Sequence, residues 1–108
     1  MTNINKLIQD LTLREKISLM SGFNSWYTNK IDRLDIPSIK MSDGPNGVRG
    51  DSTSGKSSAC FPCAISIGST WDMDLINQLG VALGEEAKVK DVDVLLGPTI
   101  NIHRHPLG

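Results

Sequence analysis

The chain has 108 residues, 39% hydrophobic and 21% charged, with a formal net charge of −1. That length suits one small domain or a piece of a larger one, and the composition describes a soluble globular protein rather than a disordered tail. The near-neutral charge gives no electrostatic case for nucleic acid or anionic lipid as a partner, and no apolar run approaches the roughly 20 residues of a membrane span.

The N-terminus, MTNINKLIQDL, is amphipathic and lacks a charged head before an apolar core. No secretory signal is therefore visible, and the expected location is cytoplasmic, with Cys60 and Cys63 as reduced thiols. Ile4, Leu7, Ile8 and Leu11 fall at helical spacing and predict a short first helix. Thr12 and Glu15 form a capping-box pattern that opens a second helix, with Leu13, Ile17 and Met20 on one face and Gly22 as its stop. Residues 23–35 read as a loop carrying Trp26 and Tyr27.

IPSIKMSD, residues 36–43, reads as a strand in which Ile39, Met41 and Asp43 share the inward face, opposite Lys40 and Ser42. Residues 44–58, rich in glycine, serine and threonine, follow as a long loop. Trp71, Leu75, Leu79, Leu83 and Ala87 recur every four residues and predict a long helix over 71–90. Asp72 and Asp74 in its first turn, and Lys88 and Lys90 in its last, suit the helix dipole. VDVLLG, residues 92–97, reads as a buried strand. Strand, loop, helix, strand is a βαβ unit, which implies parallel strands and an α/β fold. In such folds ligands collect at the carboxyl ends of the strands, where Asp43 and the 98–108 segment are placed.

Three short motifs compete for a function. GDSTSGKS, residues 50–57, matches the phosphate-loop pattern, in which backbone amides and Lys56 would cradle a nucleotide's phosphates. Its context argues against it: no buried strand runs into Gly50, and Pro62 falls where the following helix should continue. Cys60-Phe61-Pro62-Cys63 has the spacing of a redox pair, but no clear helix signal appears before Ser69 and Thr70, so buried, inert thiols are expected. His103 and His105 flank Arg104 after the second strand without an accompanying carboxylate motif, so a polar loop is expected there rather than a metal site.

Longer blocks are more specific. KMSDGPNGVRG, then ACFPCAISIGSTWDMDLINQLGVALGEEAK, then VLLGPTINIHRHPLG, in that order, resemble the N-terminal part of glycoside hydrolase family 3, the β-glucosidase family. The resemblance runs from about Leu11 to the last residue. It implies the first part of a (β/α)8 barrel, incomplete in this chain, with leading helices and loop over 1–35 and the first βαβ portion over 36–108. It also implies a retaining hydrolase that releases terminal β-linked glucose through two carboxylates, with a small carbohydrate as substrate and no cofactor or metal. Asp43 matches the family aspartate that binds sugar hydroxyls in the innermost subsite, and Arg49 matches the arginine that closes the same motif. The family's nucleophile, its acid/base and a lysine-histidine pair lie beyond the pattern's PLG, and none of Asp51, Asp72, Asp74 or Glu86 matches them. The chain thus reads as the opening fragment of a glycosidase, inactive by itself. The competing readings are a non-catalytic truncated product and a small binding or scaffold domain.

Overall fold

Thr12 and Glu15 bond to each other reciprocally: the Thr12 hydroxyl accepts from the Glu15 N–H at 3.3 Å, and the Glu15 carboxylate accepts from the Thr12 N–H at 2.8 Å. This exchange satisfies two amides that a helix start leaves free. It opens α2 (Leu13–Ser21), which follows α1 (Ile4–Asp10) in the computed structural model, where residues 3–50, 56–101 and 104–107 are described. The chain divides into two compact units, Met1–Met41 and Ser42–Gly108.

In the first unit, a short 3-10 turn at Asp32–Leu34 brings Arg33 back to the start of α2. Arg33 donates to the Glu15 carboxylate at 2.7 Å and to the Asp10 carbonyl at 2.9 Å. Residues 36–43 do not form one strand. Pro37 has no N–H to give a ladder, and the residues around it pair with the preceding loop instead: Ile36 bridges Ile31, and Lys40 bridges Tyr27, both antiparallel. Only Met41–Asp43 remains as β1.

The second unit contains β1's last residues, α3 (Ala64–Gly68), α4 (Met73–Val89) and β2 (Val94–Leu96), with β1 and β2 as neighbours in a two-stranded sheet. A Cβ on Gly97, just past β2, would lie 3.2 Å from the Pro45 Cα, just past β1. The carboxyl ends of both strands are therefore at the same end of the sheet, as parallel strands require. The mixed succession of strand, helices and strand agrees with the α/β expectation.

Four local expectations change. Trp71 is not on the helix stripe: it has φ of 52° and is 89% exposed, while Asp72 is the N-cap and accepts from the Leu75 N–H at 3.0 Å. The inward residue of β1 is Ser42, fully buried, because its hydroxyl accepts from the Gly50 N–H at 2.9 Å beneath the following loop. β2 is not a buried strand: Val94 and Leu96 are 42% and 46% exposed, since a two-stranded sheet leaves those faces uncovered. The thiols of Cys60 and Cys63 are exposed rather than buried, and α3 begins directly after Cys63. Among the described residues, no helix is long and apolar enough to cross a membrane.

Candidate functional site

Asp43 ends β1, and the chain turns sharply through Gly44, Pro45, Asn46 and Gly47. Gly44 and Gly47 have φ of 144° and 155°. A Cβ at Gly44 would run into the Gly47 carbonyl, and one at Gly47 into the Ala59 carbonyl, so only glycine lets the backbone approach itself this closely. The turn closes when the Arg49 N–H donates to the Asp43 carbonyl at 3.0 Å. Asn46 ties the turn to the next segment: its carbonyl accepts from the Phe61 N–H at 2.7 Å, and its amide donates to the Pro62 carbonyl at 2.7 Å.

These bonds enclose an open cavity of about 410 Å³ lined by Asp43, Asn46, Arg49, Ser58, Ala59 and Cys60, with the turn glycines and Pro45. The two residues singled out from the sequence are thus brought to one cavity, with Asp43 half-buried and Arg49 exposed at its edge. Among the described residues, neither the Asp43 carboxylate nor the Arg49 guanidinium is engaged in a side-chain hydrogen bond or ion pair. A carboxylate and a guanidinium on one open pocket can accept from and donate to adjacent hydroxyls of a polar ligand.

Behind the cavity stands a charged pair, Glu86 and Lys90; the sequence assigned Lys90 only to the helix dipole and gave Glu86 no role. Glu86 accepts from the Val48 N–H and the Ala59 N–H, each at 2.9 Å. Lys90 donates to Glu86 at 2.9 Å, to the Ser58 hydroxyl at 2.7 Å and to the Val48 carbonyl. Burial pushes the Glu86 carboxyl up, but the Lys90 ammonium and the two N–H groups outweigh it, and the net direction is down. Lys90 is 5% exposed and caps the helix. The signal was present in the sequence: Leu79, Leu83, Glu86 and Lys90 step by four, three and four residues, so two charges continue an inward face.

The short motifs fare differently. Residues 51–55 of the phosphate-loop pattern lie outside the described residues. No helix starts at Lys56, whose ammonium donates to the Val89 carbonyl at 2.8 Å. His103 also lies outside the described residues, and His105 accepts from the Leu107 N–H at 3.1 Å. Among the described residues, no three His, Cys, Asp or Glu side chains gather to hold a metal ion.

Residues 5–107 match the family model for the glycosyl hydrolase family 3 N terminal domain. A "Probable beta-glucosidase I" of Emericella nidulans is 52% identical over 107 residues, which cover 98% of this chain and 13% of that protein. A β-glucosidase of Rhizobium radiobacter is also 52% identical, over 97% of this chain and 13% of its own length. Among solved structures, the β-glucosidase of Kluyveromyces marxianus in complex with glucose superposes with a TM-score of 0.87 at 42% identity, over 94% of this chain and 12% of that one. The chain therefore spans about an eighth of the length of the relatives it matches.

Proposed function

This chain belongs to glycosyl hydrolase family 3, and from that membership we propose that it is the opening segment of a retaining β-glucosidase, with Asp43 and Arg49 in the innermost sugar subsite. The observation that carries this reading is the convergence of Asp43 and Arg49 on one cavity at the carboxyl ends of β1 and β2. That is where ligands collect in α/β barrels. The structural relative from Kluyveromyces marxianus holds glucose, which supports a glucosyl residue as the ligand.

In this reading β1 and β2 are the first strands of a (β/α)8 barrel, and the segment over 36–108 is its first βαβ portion. Bond cleavage falls to two carboxylates outside these 108 residues, through a glycosyl-enzyme intermediate. The task of this segment is orientation. The Asp43 carboxylate accepts from two neighbouring sugar hydroxyls, Arg49 donates beside it, and the anomeric carbon is thereby fixed relative to the attacking group. Bonds that strengthen as the ring flattens toward the transition state lower the barrier as well as the dissociation constant.

The test uses the full-length protein that carries this segment, assayed on a nitrophenyl β-glucoside. The wild type should cleave it, and Asp43→Asn and Asp43→Ala should both lose kcat/KM. Charge-assisted hydrogen bonds of about 1.5–3 kcal/mol each correspond to losses on the order of ten- to a hundredfold per bond. A wild type without glucosidase activity, or two Asp43 variants with wild-type kcat/KM, would remove the proposal.

A further inference from the structure

The Glu86–Lys90 pair holds both walls of the cavity from behind. The first wall is the turn 44–49, whose only fully buried side chain is Val48. Val48 donates its N–H to Glu86, and its carbonyl accepts from the Lys90 ammonium and from the Ser58 hydroxyl. The second wall is 58–60, in which Ala59 gives its N–H to the other Glu86 oxygen and Ser58 accepts from Lys90. Gly47 and Arg49 flank Val48, and Ser58 and Cys60 flank Ala59, and all four line the cavity with Asp43. Buried main-chain groups must find partners. In these two loops the N–H groups of Val48 and Ala59 both find their acceptor on one helix, not in a strand ladder.

We propose that Glu86 and Lys90 are positioning residues for the sugar subsite: one carboxylate and one ammonium set the spacing between the Asp43–Arg49 turn and the 58–60 wall. The proposal rests on the sugar-subsite reading of that cavity. Neither side chain lines the cavity, so both act through the backbone they hold. A salt bridge of this kind on a helix surface would matter little. This one is nearly buried, with side-chain exposures of 4% and 16%, and among the described residues its side-chain bonds beyond itself go to the two walls.

The experiment compares wild type, Glu86→Gln and Lys90→Met in the full-length protein, at temperatures well below each variant's measured Tm. The glutamine keeps the shape of Glu86 but turns one acceptor into a donor facing an N–H. Three readouts are taken: kcat and KM on nitrophenyl β-glucoside, the Kd for glucose, and amide hydrogen exchange of peptides covering 44–50 and 58–63. Both variants should weaken glucose binding and raise KM by about tenfold or more, and should speed exchange in both peptides together. In an Asp43→Asn background Glu86→Gln should lower kcat/KM by a smaller factor than in the wild-type background, because both changes act on the contact that Asp43 makes, and equal factors would overturn the proposal. Folded variants with a lower Tm but wild-type Kd and KM would mean that the pair only stabilises, and would overturn the proposal. If Glu86→Gln and Lys90→Met do not fold, the double variant, which leaves neither charge unpaired, is read in the same way. A wild type that cleaves no glucoside would sink the proposed function instead, and unchanged exchange in both peptides would still overturn the positioning role.

Discussion

Arg49 donates its backbone N–H to the Asp43 carbonyl at 3.0 Å, so the two charged side chains rise from bonded positions across one turn. This pairing makes the pocket's polarity a property of the turn and not of distant elements. Arg49→Met in the full-length enzyme should lower kcat/KM on nitrophenyl β-glucoside by about tenfold or more, the loss of at least one charge-assisted bond. Arg49→Lys should fall between the two, since an ammonium keeps the charge without the planar fork. Equal kcat/KM for Arg49→Met and wild type would exclude Arg49 from the subsite.

The turn's second glycine should be as sensitive as its charges. An alanine Cβ at position 47 would collide with the Ala59 carbonyl, and the backbone there has φ of 155°. Strained backbone of this kind costs about 1–3 kcal/mol. Gly47→Ala should lower both the unfolding midpoint and kcat/KM of the full-length protein. If both stay at wild-type values, the turn can relax and the close approach is not required.

Glu15 supplies a pH-dependent contact in the first unit. Hydrogen bonds from Arg33 and from Thr12 hold its carboxyl down to about 2 from an ordinary 4.5, against a smaller opposing effect of desolvation. A depressed carboxyl stabilises the fold above its unfolded pKa, and that stabilisation fades as the pH falls through the folded one. The gap in Tm between wild type and Arg33→Met should therefore be full above pH 4.5 and close as the pH approaches 2. A gap that is constant from pH 7 to pH 2 would show that the ion pair contributes nothing.

The 108 residues alone should be aggregation-prone. Val94 and Leu96 on β2 and Leu75 on α4 are exposed, and an apolar groove lined by Ile67, Ile76, Leu79, Leu83 and Leu95 is open. Uncovered apolar faces and unpaired strand edges invite association. Light scattering of the purified chain should show oligomers or aggregate at micromolar concentration. A soluble monomer with a cooperative thermal transition would argue for a self-contained domain.

What could be read from the chain beforehand divides by distance. The Thr12–Glu15 capping box and the body of α4 are local, decided by residues three and four apart, and both formed as expected. The five-residue α3 escaped notice because so short a stretch carries no full period, and Pro62 just before it reads as a breaker when it only precedes the helix. β1 shrank because Ile36, Ile39 and Lys40 found partners in the loop before them, which propensity cannot see. Glu86 and Lys90 showed their spacing, but their further partners lie 38 and 27 residues away for Glu86 and 42 and 32 for Lys90. A charge on a helix's inward face announces a partner without naming it. The strand pattern put Asp43 at a carboxyl end, resemblance added Arg49 and a role for both, and their shared cavity follows from the glycine turn.

The Glu86 tethers end on main-chain N–H groups, and a main-chain bond is blind to the side chain attached beside it. Position 59 is exposed and faces the cavity. A designer can therefore exchange Ala59 for a larger or polar residue and reshape the pocket while its anchor to α4 remains. Proline is barred at 48 and at 59, because it lacks the hydrogen that the carboxylate holds. Selection is free to vary pocket chemistry in the same way, with Glu86 kept constant while the wall in front of it changes.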